Sequence, residues 1–194
     1  MAFTLPRPLS HSSISLFNEC PQKYKFKYID KIPEKPRHFF SFGQSVHLAL
    51  EFFYGVKEAV APTLEQLLAS YKEQWVSAGY KDPGHEAQFF EDGKAILAAF
   101  HKKHARDFFL PFFVEYNFNL EVDGVPVTGK VDRVDKLEDG RLAVLDYKTG
   151  KALAKDRVAA DAQLTMYQMA CEQLLGAKVA KLTFYHLPSL SEMT

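Results

Sequence analysis

The chain has 194 residues, with 24 Lys and Arg against 24 Asp and Glu for a formal net charge of +0, which excludes a protein that holds nucleic acid by blanket electrostatics and leaves only local patches for that purpose. Its 47% hydrophobic content and 17 Phe exclude a disordered chain, and the length suits one domain with a real core. Only Cys20 and Cys171 are present, no run approaches the roughly 18 apolar residues of a membrane span, and no basic segment leads into an apolar signal core. A cytoplasmic protein with reduced thiols and no membrane contact is expected.

In chain order, Ser12 or Ser13 is expected to cap a short helix to about Glu19, and Pro21 breaks it. Lysines then alternate with aromatics from Lys23 to Arg37: Lys23, Tyr24, Lys25, Phe26, Lys27, Tyr28. Cations neutralise phosphate and rings stack on unpaired bases, so Lys23, Lys25 and Lys27 are candidate single-strand contacts. Inward-packed aromatics with solvated lysines fit the same pattern. From Gly43 to roughly Val56, Val46, Leu50 and Phe53 have helical spacing, which puts His47 and Glu51 on one face, ~6 Å apart. Thr63 to about Val76 predicts a packing helix, Asp82-Pro83-Gly84 a turn, and His85 to about Phe108 a longer helix on which His101 and His104 are read as surface residues. This insertion is expected to cover the active face.

Pro111 to Glu121 alternates as a strand, Phe113, Glu115 and Asn117 against Val114, Tyr116, Phe118 and Leu120. Val125 to Val134 is a second strand carrying Gly129-Lys130-Val131-Asp132. After the turn at Glu138-Asp139-Gly140, Leu142 to Leu145 reads as a short buried strand, and Asp146 and Lys148 share a face at its open end. A carboxylate beside an ammonium there suits a divalent metal and a phosphate, and Asp132 can stand beside Asp146 on the neighbouring strand. A helix from about Arg157 to Leu175 carries Gln163 and Tyr167 at i and i+4, and Val179 to Leu187 closes the sheet. The pattern alone supports mixed α and β.

Together with Gly43 to Glu51 and the opening Ser10 to Pro21, the segments Gly129 to Asp132, Asp146-Tyr147-Lys148-Thr149-Gly150, Gln163 and Tyr167 resemble the PD-(D/E)XK nucleases, in particular the RecB-like and CRISPR-adaptation branch, over nearly the whole chain. The resemblance implies an α/β restriction-endonuclease-like αβββαβ core with a central mixed sheet and an N-terminal helical insertion, in a single domain over 1–194 (helices about 12–108, sheet about 111–187). It implies that Asp132, Asp146, His47 and the Tyr147 carbonyl hold Mg2+ or Mn2+, that Lys148 positions the attacking water or the scissile phosphate, and that Gln163 and Tyr167 hold the phosphate or backbone. Glu115 resembles the first acidic position, although an edge-strand carboxylate facing solvent would look the same. Glu51 is expected to orient His47. Asp135 is set aside because Asp132 completes Gly-x-x-Asp.

The implied substrate is DNA, single-stranded or at ends, cut exonucleolytically in repair, recombination or CRISPR adaptation, with a helicase or recombination protein as partner. Some relatives carry an iron–sulfur cluster on one N-terminal and three C-terminal cysteines; Cys20 occupies the first position, the other three have no counterpart, and no cluster is expected. The end at Thr194, soon after the last predicted strand, suggests a missing C-terminal segment. A non-catalytic nucleic-acid-binding or scaffolding module would have substituted acidic or lysine positions, and here they are intact. A different metal hydrolase or phosphate-binding protein would bring His-x-x-x-His, which does not occur, or Gly-x-x-x-x-Gly-Lys followed by Ser or Thr, whereas the one match to that spacing, Gly124 to Lys130, is followed by Val131.

Overall fold

The computed structural model describes residues 7–151, 158 and 161–194. Helix α1 (His11–Glu19) starts at Ser10 rather than Ser12 or Ser13: the Ser10 hydroxyl accepts from Ser13 N–H and the Ser13 side chain answers the Ser10 backbone. Pro21 opens α2 (Pro21–Tyr24), which continues into a π-helical turn, Lys25–Ile29. Helix α3 (His38–Tyr54) follows, then α4 (Leu64–Glu73), capped reciprocally by Thr63 and Gln66, and α5 (Pro83–His104), capped by Asp82 with Pro at its first position. The insertion helices thus exist where the apolar spacing places them, with α5 ending four residues earlier than expected.

Strands β1 (Phe113–Val122), β2 (Val125–Lys136) and β3 (Leu142–Lys148) form a meander in which each pairs antiparallel with the next. Asp123 and Gly124, at φ 50° and 78°, make the tight β1–β2 turn that matches strand twist. Helix α6 (Ala162–Leu175) crosses over to β4 (Val179–His186), which pairs parallel with β3, and β5 (Ser191–Met193) adds an antiparallel edge that the sequence did not announce. The sheet order is β1-β2-β3-β4-β5. The first positions of the helix expected from Arg157 lie outside the described residues, Val158 excepted.

Helices cover both faces of this sheet. On one, α3, α4 and α5 bury Val46, Leu50, Phe53, Leu67, Tyr71, Leu97 and Phe100 against Tyr147 and Tyr185; on the other, α6 buries Leu164, Tyr167, Ala170 and Cys171 against Phe118, Val131, Val144 and Phe184. The insertion therefore buttresses α3 from behind and does not roof the Asp146–Lys148 side of the sheet, contrary to expectation. His104 is likewise no surface residue. It sits half-buried with Nε2 2.8 Å from the Tyr185 hydroxyl, and burial, then Lys103 and Arg133, lowers its pKa to about 4. His101 Nε2 lies 2.9 Å from the Pro62 carbonyl.

Strict alternation fails at one level of the sheet. Glu115 has φ 53°, a left-handed backbone that a non-glycine residue adopts only under constraint. Phe113 consequently packs in the same cluster as Tyr116 and Phe118, and on β2 both Val131 and Val134 do so. The residues between them, Glu115 and Asp132, are turned out of the regular ladder at the same height.

Candidate active site

Three acidic residues line up across three strands. In the β1–β2 register, Val114 faces Arg133 and Tyr116 faces Val131, which puts Glu115 opposite Asp132; the β2–β3 pairing, Arg133 to Leu145, puts Asp132 opposite Asp146. Beyond Arg133 and Leu145 the β2–β3 ladder stops, and the Asp132 carboxylate takes over its role by accepting the Tyr147 N–H at 2.7 Å.

His47 approaches from α3. Its Nε2 lies 3.1 Å from the Tyr147 carbonyl and its Nδ1 3.5 Å from Asp132 Oδ2. Both ring nitrogens are thus engaged, and Glu51, exposed one turn on, makes no hydrogen bond to the ring; it does not orient His47 as expected. Burial lowers the His47 pKa, but the Asp132, Asp146 and Glu115 carboxylates outweigh it and raise the value to about 9. A cation entering here must displace that proton.

Asp146 belongs to a second set of contacts. Its Oδ1 accepts from Gln163 Nε2 at 2.9 Å and from the Tyr167 hydroxyl at 3.1 Å, while Lys148 Nζ stands 2.6 Å from Oδ2 and donates to Gln163 Oε1 at 2.9 Å. The Lys148–Asp146 contact is an ion pair without hydrogen-bond geometry, so Oδ2 is buried with no hydrogen-bond partner. Burial, then Asp132, pushes the Asp146 pKa up, and Lys148 pulls it back. Gln163 is set by Asp161, which caps α6 by accepting the Gln163 N–H at 2.8 Å; sequence reading missed Asp161 because it began that helix too early.

Glu115 is not an edge carboxylate facing solvent. Its side chain is 11% exposed and paired with Lys130, its Oε2 lacks a hydrogen-bond partner, and burial raises its pKa. Among the described residues, His47, Glu115 and Asp132 bring one ligand atom each within 4.8 Å of one another. The hard oxygens and one imidazole fit a divalent cation such as Mg2+ or Mn2+, and two of those oxygens, Glu115 Oε2 and Asp146 Oδ2, are buried with a lysine ammonium beside them but no hydrogen bond. The expected set differs in one respect: Glu115 stands with His47 and Asp132, whereas Asp146 is held by Lys148, Gln163 and Tyr167. The Tyr147 carbonyl lies between the two groups, occupied by His47.

Not every candidate arrives here. Asp135 accepts from Arg133 Nε at 2.7 Å, among Tyr54 and Tyr147 on the insertion side, away from the acidic row. Lys23, Lys25 and Lys27 pair with Glu19, Asp30 and Glu34, the latter two contacts at 2.6 Å, so their charge is locally neutralised. The expected free basic stretch is absent among them.

The family model described as the PD-(D/E)XK nuclease superfamily matches residues 8–192. The chain belongs to that superfamily. It is 24% and 23% identical to the Gene 69 proteins of Mycobacterium phages D29 and L5, covering 92% of this chain in each case and 74% and 75% of those proteins. Among solved structures, a "Putative exonuclease" from Eubacterium rectale superposes with a TM-score of 0.57 at 16% identity, over 96% of this chain and 73% of that one, which shows a shared fold. The superfamily's mixed sheet flanked by helices is the architecture described above, and no described helix is long and apolar enough to cross a membrane.

Proposed function

We propose that this chain is a single-domain, divalent-metal-dependent deoxyribonuclease that hydrolyses phosphodiester bonds at DNA ends. The observation that carries the reading is the acidic row Glu115, Asp132, Asp146 closed by His47 on one side and by Lys148 and Gln163 on the other. The name of the Eubacterium rectale protein supports exonucleolytic action, and the resemblance supports a role in repair, recombination or CRISPR adaptation beside a helicase or recombination partner.

In this proposal Asp132, Glu115, Asp146 and His47, with the Tyr147 carbonyl, would hold Mg2+ or Mn2+. Bound there, the ion neutralises phosphate charge and lowers the pKa of water from 15.7 toward about 7 to 9. Lys148 contributes a fixed cation: Asp146 and Gln163 hold its ammonium at the strand end, where it can bind a phosphate oxygen or aim the attacking water. Gln163 and Tyr167 keep Asp146 in place and offer hydrogen bonds to the backbone.

The test is cleavage of end-labelled linear and circular DNA, single- and double-stranded, with Mg2+, Mn2+ or chelator. Lys148→Ala should lower cleavage by about a hundredfold or more while Mn2+ affinity, read by calorimetry, changes little. Asp132→Ala and Asp146→Ala should lose affinity itself. Equal loss of metal in all three variants contradicts the assigned roles, and DNA retained without cleavage under any metal points to a binding module.

A further inference from the structure

Two large aromatic side chains stand in water at the start of the helix that carries His47. Phe39 is 48% and Phe40 64% exposed, their rings 4.5 Å apart and tilted by 49°. Scattered exposed apolar residues are ordinary, but an adjacent pair beside a site is a patch with a use. Spacings of four, three and four put Phe40, Gln44, His47 and Glu51 on one stripe of α3, with Phe40 about 10 Å from His47 along the axis. Gly43 lies between them and fits against the chain just past Lys148: a Cβ there would come 3.2 Å from Thr149 Oγ1. The stripe therefore leads from the exposed rings, past the Lys148 strand end, to His47.

We propose, resting on the nuclease reading above, that Phe39 and Phe40 form a stacking platform for the unpaired bases of a DNA strand whose backbone enters the His47–Lys148 site. A strand held at that site must continue away from it, and along this stripe it meets Gln44 and then the exposed Phe40 ring with Phe39 beside it. Every base has a π-face to offer such rings, whereas a duplex keeps its bases stacked on one another. Lys23, Lys25 and Lys27 are paired with Glu19, Asp30 and Glu34, whereas the Arg37 guanidinium lies 6.0 Å from the Phe39 ring with no ion pair among the described residues, so phosphate charge at Arg37 adds to stacking on the rings. The platform makes this a reader of single-stranded DNA.

The experiment is fluorescence anisotropy of a labelled oligo(dT) and of a blunt hairpin duplex, in EDTA so that no turnover intervenes. The F39A/F40A variant should bind oligo(dT) about tenfold or more weakly, at low and high salt alike, with duplex binding unchanged. Both positions lie outside the core, so the thermal midpoint should stay put. The F40W variant should bind like the parent, with its added fluorescence quenched by oligo(dT). Parental oligo(dT) affinity in F39A/F40A, equal losses on both DNAs, or an unquenched Trp overturns the platform. Binding in EDTA is independent of cleavage: platform-dependent binding without hydrolysis in Mg2+ or Mn2+ would defeat the nuclease reading alone, and hydrolysis with F39A/F40A unaffected would defeat the platform alone.

Discussion

Asp132 and Asp135 are three residues apart on one strand and have opposite fates. Asp132 is turned out of the ladder toward His47; Asp135 neutralises Arg133, a guanidinium sandwiched between the Tyr54 and Phe109 rings at 4.2 and 4.8 Å. Removing the Asp135 charge leaves a buried cation poorly compensated, which costs about 1–3 kcal/mol. Asp135→Asn should therefore lower the urea midpoint while leaving Mn2+ affinity unchanged, and a loss of metal affinity in that variant would contradict the separation. The motif spacing pointed to Asp132, the aspartate that stands beside His47. It could not reveal the strained Glu115 backbone, because no residue type announces a left-handed conformation inside a strand.

At the scale of elements, the hairpin β1–β2 is bent so that its acids leave the sheet, and Gly129 makes part of that packing. A Cβ on Gly129 would lie 2.4 Å from Phe118 Cζ, and the Phe118 ring is in turn edge-on to Tyr167 at 6.1 Å. Gly129→Ala must displace a ring that is 1% exposed, at a cost of about 1–3 kcal/mol. The thermal midpoint should fall by roughly 2–12 °C, since 1 kcal/mol is worth about 2–4 °C at this size. Because Tyr167 donates to Asp146, cleavage should fall as well, and combining Gly129→Ala with Phe118→Leu should recover stability. Both observables unchanged in the single variant would refute this packing role. The helices and strands themselves were legible from apolar spacing, and their errors are local: the α1 cap sits at Ser10, the α6 cap at Asp161, and β5 was missed because three residues carry no periodic signal.

For the whole molecule, the site is where two helices from opposite faces meet the strand ends, α3 bringing His47 and α6 bringing Gln163 and Tyr167. Three carboxylates crowd there, and although Lys130, Lys148 and His47 each answer one of them, Asp132 adds to burial in raising the pKa of both Glu115 and Asp146, so the ion-free fold carries like-charge repulsion. A cation that binds only the folded state at 100 times its Kd adds about 2.7 kcal/mol. Mn2+ should therefore raise the thermal midpoint by roughly 5–10 °C, reversibly with EDTA, and Asp132→Ala should abolish the shift. No shift in the parent protein would argue against the proposed metal centre.

What the sequence by itself determined was the set of elements and the family: apolar period set helices and strands, and the Gly-x-x-Asp, Asp-Tyr-Lys and Gln-x-x-x-Tyr spacings marked the chemistry, because these are local relations along the chain. What only the tertiary structure decided was which side chains face one another. His47 meets Asp132 across 84 residues of intervening sequence, Glu115 joins them through a backbone kink, and Lys23, Lys25 and Lys27 find carboxylate partners. Pairing of that kind depends on sheet register and on which face each helix covers, and both are set only when the core closes.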